Sequence, residues 1–162
     1  MTFEPTSPSR RALLLGLAAS VSAAACGGSS STAPTPTDQT WVANVPFSST
    51  DVTAGTGAEA VAGSRIVVDY YGWLYSTATT DNKGALFDTS LQTGRTPFQL
   101  VLGAGSVIAG WEQGIPGMKV GGIRRLIIPP ALAYGATGNN SIPPNATLIF
   151  EIRLNDILVS AT

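Results

Sequence analysis

The feature that most constrains this chain is a period-two alternation of apolar side chains, repeated in three separate segments. Ile66, Val68, Tyr70 and Leu74 fall on alternate positions of Arg65–Tyr75, with Gly72 keeping the phase. Phe98, Leu100 and Leu102 repeat the pattern, as do Leu148, Phe150, Ile152 and Leu154. Successive side chains of a strand point to opposite faces, so these segments read as antiparallel strands with one face buried. Gly122–Ile128 adds a short run rich in isoleucine, flanked by Gly121 and Pro129. An earlier strand is expected over Val42–Ser48. Asp51–Gly63, rich in glycine and alanine, reads as a loop, and Tyr75–Leu86 as a long polar connection with no periodicity. A single short helix fits near Ala109–Ile115, after the glycine-punctuated turn Leu102-Gly103-Ala104-Gly105. No internal repeat is visible. The predicted fold class is α+β, an antiparallel sheet folded around one short helix.

Composition removes several classes of chemistry. The 162 residues are 44% hydrophobic, enough for one sizeable core, and only 12% charged with a formal net charge of −1. No basic run appears, which argues against a nucleic-acid partner. The chain has no histidine, so Ser-His-Asp and Cys-His nucleophiles and the usual zinc sites are out of reach. No metal and no cofactor is expected. The one cysteine, Cys26, allows neither an intrachain disulfide nor a CxxC redox site. The chain is read as a monomer.

Residues 1–26 read as an address. Arg10-Arg11 precede the apolar run Ala12–Ala25, which at about 14 residues falls short of the roughly 20 that a spanning helix needs. Such a run behind a positive n-region suits a signal peptide, and the paired arginines resemble a twin-arginine export signal. Small residues Ala23-Ala24-Ala25 lead into Cys26, an arrangement similar to a bacterial lipoprotein processing site; an ordinary signal peptide that happens to contain a cysteine is the alternative. Lipidation of Cys26 would anchor the protein to a membrane of the bacterial cell envelope without a spanning helix. Residues 27–40 are small, polar and proline-containing and read as a flexible tether. Residues 41–162 are left for the globular domain.

Tyr134 to Phe150 reads YGATGNNSIPPNATLIF. Gly135 and Gly138 admit backbone angles that other residues avoid, and Pro143-Pro144 stiffen φ and donate no hydrogen bond. The segment reads as a rigid loop holding Tyr134 and Ile142 over a concave face. Tyr70, Phe98 and Phe150 are in phase with the inward sets of their strands, Trp111 sits on the helix, and Phe87-Asp88 closes the polar connection. Singly, each aromatic reads as core and Asp88 as a turn former.

Taken in order, Y-G, F-D, P-F, G-x-x-V-I-x-G-W-E-x-G, M-x-V-G, Y-G-A-T-G and I-P-P-x-A-T-L-x-F resemble the FKBP-type peptidyl-prolyl isomerases over nearly all of Phe47–Leu158. That resemblance implies an antiparallel half-barrel around the helix, with a hydrophobic pocket for proline-containing polypeptides and for macrolides of the FK type. It implies Trp111 as the pocket floor, with Tyr70, Phe87, Phe98, Val107, Ile108 and Phe150 as walls and Ile142 beside Tyr134 as the lid. It implies that the Tyr134 hydroxyl and the Ile108 N–H donate to substrate carbonyls, and that Asp88 is a polar rim group oriented by the Tyr70 hydroxyl. Two departures fall on the rim. Many members carry an arginine a few residues beyond the Phe-Asp pair, where this chain has Leu91-Gln92-Thr93 and its nearest arginine is Arg95. Many have a histidine after the Gly-Ala-Thr-Gly turn, where this chain has Asn139. The expected activity is isomerisation of X-Pro bonds in folding envelope or secreted proteins. Binding of clients without turnover is the alternative that the altered rim leaves open.

Overall fold

The computed structural model describes residues 45–158. The segments read as an export signal and a tether, Cys26, Trp41 and the start of the strand expected over Val42–Ser48 lie outside them.

The alternation in Arg65–Tyr75 becomes the central strand. We number the strands β1 (Ser48–Thr53), β2 (Arg65–Tyr75), β3 (Lys83–Thr89), β4 (Phe98–Val101), β5 (Ile123–Ile128) and β6 (Leu148–Leu158), with one α-helix, α1 (Ala109–Gly114), between β4 and β5. In β2, Ile66, Val68, Tyr70, Gly72 and Leu74 are buried and the residues between them are not. Every pairing is antiparallel, in the order β1-β5-β6-β2-β3. β2 carries three partners: β6 along one edge, and along the other β4 at Arg65–Val68 and β3 from Tyr71 to Tyr75. This is the α+β architecture expected, an antiparallel sheet of six strands with one short helix.

Two expectations need correction. The first strand among the described residues is Ser48–Thr53; residues 45–47 of the strand expected over Val42–Ser48 are not strand, and Asp51–Thr53 are strand and not loop. The connection expected over Tyr75–Leu86 contains the start of β3, which pairs with β2 across two register shifts. Neither strand carries an apolar alternation, because each lies at an end of the sheet and exposes much of its surface.

The helix packs on the inner face of the sheet at close range. A Cβ at Gly110 would lie 2.7 Å from Ile128 Cδ1, a separation that real side chains do not tolerate, so only glycine lets the helix approach β5 this nearly. Arg124, on β5, holds the far end of the helix: its Nη1 donates to the Gly114 and Pro116 carbonyls at 2.9 and 3.0 Å, and its Nε to Asp51 at 2.6 Å. Carbonyls at a helix C-terminus lack partners within the helix, and a cation there also meets the negative end of its dipole. The core beneath is aliphatic, with Ile66, Val68, Leu126, Ile128, Leu148, Ile152 and Leu154 fully buried.

Candidate functional site

One end of that core is aromatic and open. Trp111 projects from α1 and is 4% exposed. It meets Tyr70 of β2 and Phe150 of β6 at centroid distances of 5.2 Å, and Phe98 of β4 at 6.1 Å, all near edge-on. Phe87 of β3 packs edge-on against Phe150 at 5.6 Å. Edge-to-face contacts of this kind are favourable beyond their buried area, so four strands and the helix fix a ring of aromatic walls. The Trp111 Nε1–H is buried among these rings with no hydrogen-bond partner among the described residues.

The space above Trp111 is a cavity of about 280 Å3 lined by Tyr70, Phe87, Asp88, Phe98, Ser106, Val107, Ile108, Trp111, Tyr134 and Phe150. Nine of the ten pocket residues expected from the sequence are brought together there. The tenth, Ile142, is not. It is 3% exposed, belongs to the core cluster and is not among the residues that line the cavity. Ser106 was not anticipated; its only sequence signal is its place directly before Val107-Ile108.

Local structure explains each placement. Glu112, one turn into the helix, accepts hydrogen bonds from the Gly103 and Gly105 N–H groups and so pins the turn that delivers Val107 and Ile108. The Ile108 N–H meets no acceptor among the described residues, which leaves a free donor on the cavity wall. Tyr134 is held by a loop that hydrogen-bonds to itself. Gly138 N–H donates to the Tyr134 carbonyl at 3.1 Å, Asn139 N–H to the Ile142 carbonyl at 2.8 Å, and the Asn139 Oδ1 accepts from Ser141 and Ile142 N–H at 3.0 Å each. Gly138 has φ +64°, and a Cβ there would collide with the Pro143 backbone. Asn139, at the departure from the resembled pattern, is thus the side chain that closes the turn, a common use of asparagine.

Asp88 is the rim's anionic group and it is held from three sides. The Tyr70 hydroxyl donates to its Oδ2 at 2.6 Å, as expected. The Thr89 N–H donates to Oδ1 at 2.9 Å, and Arg95 Nη1 donates to the same oxygen at 2.8 Å and to the Thr89 carbonyl at 3.0 Å. Arg95 therefore reaches Asp88 from seven residues along the chain, although no arginine occupies Leu91-Gln92-Thr93. Burial, reinforced by the Asp88 hydrogen bond, pushes the Tyr70 phenol far above its ordinary value. Burial and then the Asp88 charge push the Tyr134 phenol up as well. Both hydroxyls remain protonated donors at neutral pH. The Tyr134 hydroxyl has no partner among the described residues and the residue is 37% exposed, so its proton is available at the mouth.

The cavity thus offers an aromatic floor, two unspent donors at its wall and mouth, and a fixed carboxylate at its rim.

Comparison with known proteins agrees with this geometry. Residues 57–155 match the family described as FKBP-type peptidyl-prolyl cis-trans isomerase. An FK506-binding protein of Neisseria meningitidis is 49% identical over 105 residues, covering 64% of this chain and 89% of that one. The crystal structure of AtFKBP13 superposes with a TM-score of 0.60 at 36% identity, covering 72% of this chain and 97% of that one. A peptidyl-prolyl cis-trans isomerase from Pseudomonas syringae does so with a TM-score of 0.56 at 38% identity, over 68% and 74%. With more than half of its length matched to the family and its fold shared with these structures, the chain belongs to the FKBP-type peptidyl-prolyl cis-trans isomerases.

Proposed function

We propose that the Trp111 cavity accelerates rotation about X-Pro bonds in folding polypeptides of the bacterial envelope by holding the amide in its twisted state, without covalent chemistry. The observation that carries this reading is the convergence of Tyr70, Phe87, Phe98, Ile108, Tyr134 and Phe150 above Trp111. Resonance keeps a peptide bond planar behind a barrier of about 18–20 kcal/mol. No bond breaks on rotation, so the chain needs only to bind the twisted amide better than the planar one. Twisting decouples the nitrogen from the carbonyl and reduces charge separation. An aromatic, water-poor cavity therefore favours the twisted state. The Ile108 N–H and the Tyr134 hydroxyl, held on the flanking carbonyls, fix the turn in which twisting is easiest. Each tenfold of acceleration asks for about 1.4 kcal/mol of such difference.

The test is isomerisation of a short X-Pro peptide by the purified chain. Acceleration is expected, with a rate flat from about pH 6 to pH 9, since there is no histidine to titrate and the free phenol value near 10 is only raised here. Binding of the peptide with no acceleration, from folded protein, sinks the enzyme reading. A macrolide of the FK type is expected to occupy the same cavity and to change the Trp111 fluorescence.

Export and lipid anchoring at Cys26 belong to the same proposal. Arg10-Arg11, the apolar run Ala12–Ala25 and the position of Cys26 directly after it support them. Mass spectrometry of the protein purified from a bacterial host is expected to find a diacylated N-terminal Cys26; an unmodified Cys26 in exported protein overturns the anchor.

A further inference from the structure

A second cavity lies against the first. It has a volume of about 270 Å3 and is lined by Ser90, Gly94, Arg95 and Thr96 together with Tyr70 and Phe98, the two residues it shares with the Trp111 cavity. Tyr70 and Phe98 stand edge-on, 6.0 Å between centroids, and form the wall between the two spaces. The two cavities therefore meet at a shared wall.

The chemistry of the second cavity differs from that of the first. The Ser90 hydroxyl has spent its one proton: it donates to Asp69 Oδ1 and accepts from the Tyr70 N–H, each at 3.0 Å. Arg95 is only partly engaged. Its Nη1 serves Asp88 and the Thr89 carbonyl, while its Nε and Nη2 have no partner among the described residues. The Thr96 hydroxyl has none there either. The polar capacity left in this cavity is therefore mostly that of donors, from one guanidinium already anchored by Asp88 and one hydroxyl. A guanidinium held at one nitrogen keeps its planar fork oriented for a second acceptor.

We propose that this cavity is a specificity subsite for the side chain flanking the proline, and that it takes hydrogen-bond acceptors, the carboxylate or carboxamide of Glu or Gln, over aliphatic or basic side chains. The inference rests on the isomerase reading above. A hydrogen bond to a side chain contributes about 0.5–1.5 kcal/mol net, or roughly twofold to tenfold in kcat/KM. A lysine flank gains nothing and brings a second cation to Arg95.

The experiment measures kcat/KM for four otherwise identical X-Pro peptides, with Glu, Gln, Leu or Lys at each flanking position in turn, on the wild-type chain and on Thr96→Glu. Thr96 is exposed and lies outside the Trp111 cavity, and its replacement sets a carboxylate beside Arg95, so the readout is the ratio of Glu and Gln to Leu turnover within each protein, which a uniform change in rate does not move. The expected result is a preference for Glu and Gln of about threefold to tenfold at one flanking position, collapsing toward unity in Thr96→Glu. Normal turnover of all four peptides without preference overturns the subsite and leaves the isomerase reading standing. A preference that survives Thr96→Glu also overturns it, because it then originates elsewhere. No turnover of any peptide by folded wild type overturns the isomerase reading, and the subsite with it.

Discussion

Trp111→Ala is expected to lower stability by about 3–5 kcal/mol, the range for deleting a buried aromatic, and to reduce kcat/KM toward X-Pro peptides by about a hundredfold or more. The indole is 4% exposed and touches Tyr70, Phe98 and Phe150. Removing it leaves three rings without the body they lean on and doubles as a route for water into the site. A small domain has about 5–15 kcal/mol in total, so the variant is expected to fold but to melt early. The rate loss has a separate origin. A hundredfold corresponds to about 2.7 kcal/mol of transition-state stabilisation, and the prolyl ring loses its floor while water enters to solvate the planar amide. Denaturant unfolding gives the first quantity, and peptide isomerisation at a temperature where both proteins are folded gives the second. Trp111→Phe is expected to recover most of the stability and part of the rate. An alanine variant that is destabilised yet isomerises within twofold of wild type shows Trp111 to be a packing residue only.

That dual role explains why the site was largely legible in the sequence and where it was not. The strand faces of β2 and β6 must be apolar to build a core, so their period-two pattern revealed both the sheet and the inward phase of Tyr70 and Phe150. The short helix was legible from its position after a glycine turn and from the Gly-Trp-Glu sequence that lets it approach β5. Elements without a buried face left no such trace. β1 exposes Val52 and its polar neighbours on both sides, so the hydrogen bonds of β5, and not any local preference, make Ser48–Thr53 a strand. In β3 the register shifts opposite Trp73 break the alternation. Such bulges re-aim side chains, and consecutive residues Phe87 and Asp88 both line the cavity, which a regular strand would forbid. Arg95 was not legible as the partner of Asp88, because a long flexible side chain can bridge a spacing of seven as readily as a shorter one. Ile142 is missing from the cavity lining for a different reason. Its neighbours in sequence suggested a lid, but the Asn139 turn directs it inward to the core.

Asp88→Ala separates a functional rim carboxylate from a turn former. The ion pair with Arg95 has its side chains 50% and 38% exposed, and pairs in such surroundings contribute about 0–1 kcal/mol. Stability is therefore expected to change little. Activity is expected to fall by about tenfold to a hundredfold, equivalent to about 1.4–2.7 kcal/mol of differential binding. The Tyr70 hydroxyl loses the acceptor 2.6 Å away that orients it and must turn to water, which wets the wall nearest Trp111. Arg95 loses its anchor at the same time, and an uncompensated cation remains at the mouth where the amide must twist. Asp88→Asn, which keeps an acceptor for Tyr70 but not the charge, is expected to fall between alanine and wild type. That ordering requires both the hydrogen bond and the charge to matter. Full activity in a folded alanine variant assigns Asp88 to the turn alone and leaves the aromatic cavity and its two free donors, Ile108 N–H and the Tyr134 hydroxyl, to account for the whole rate.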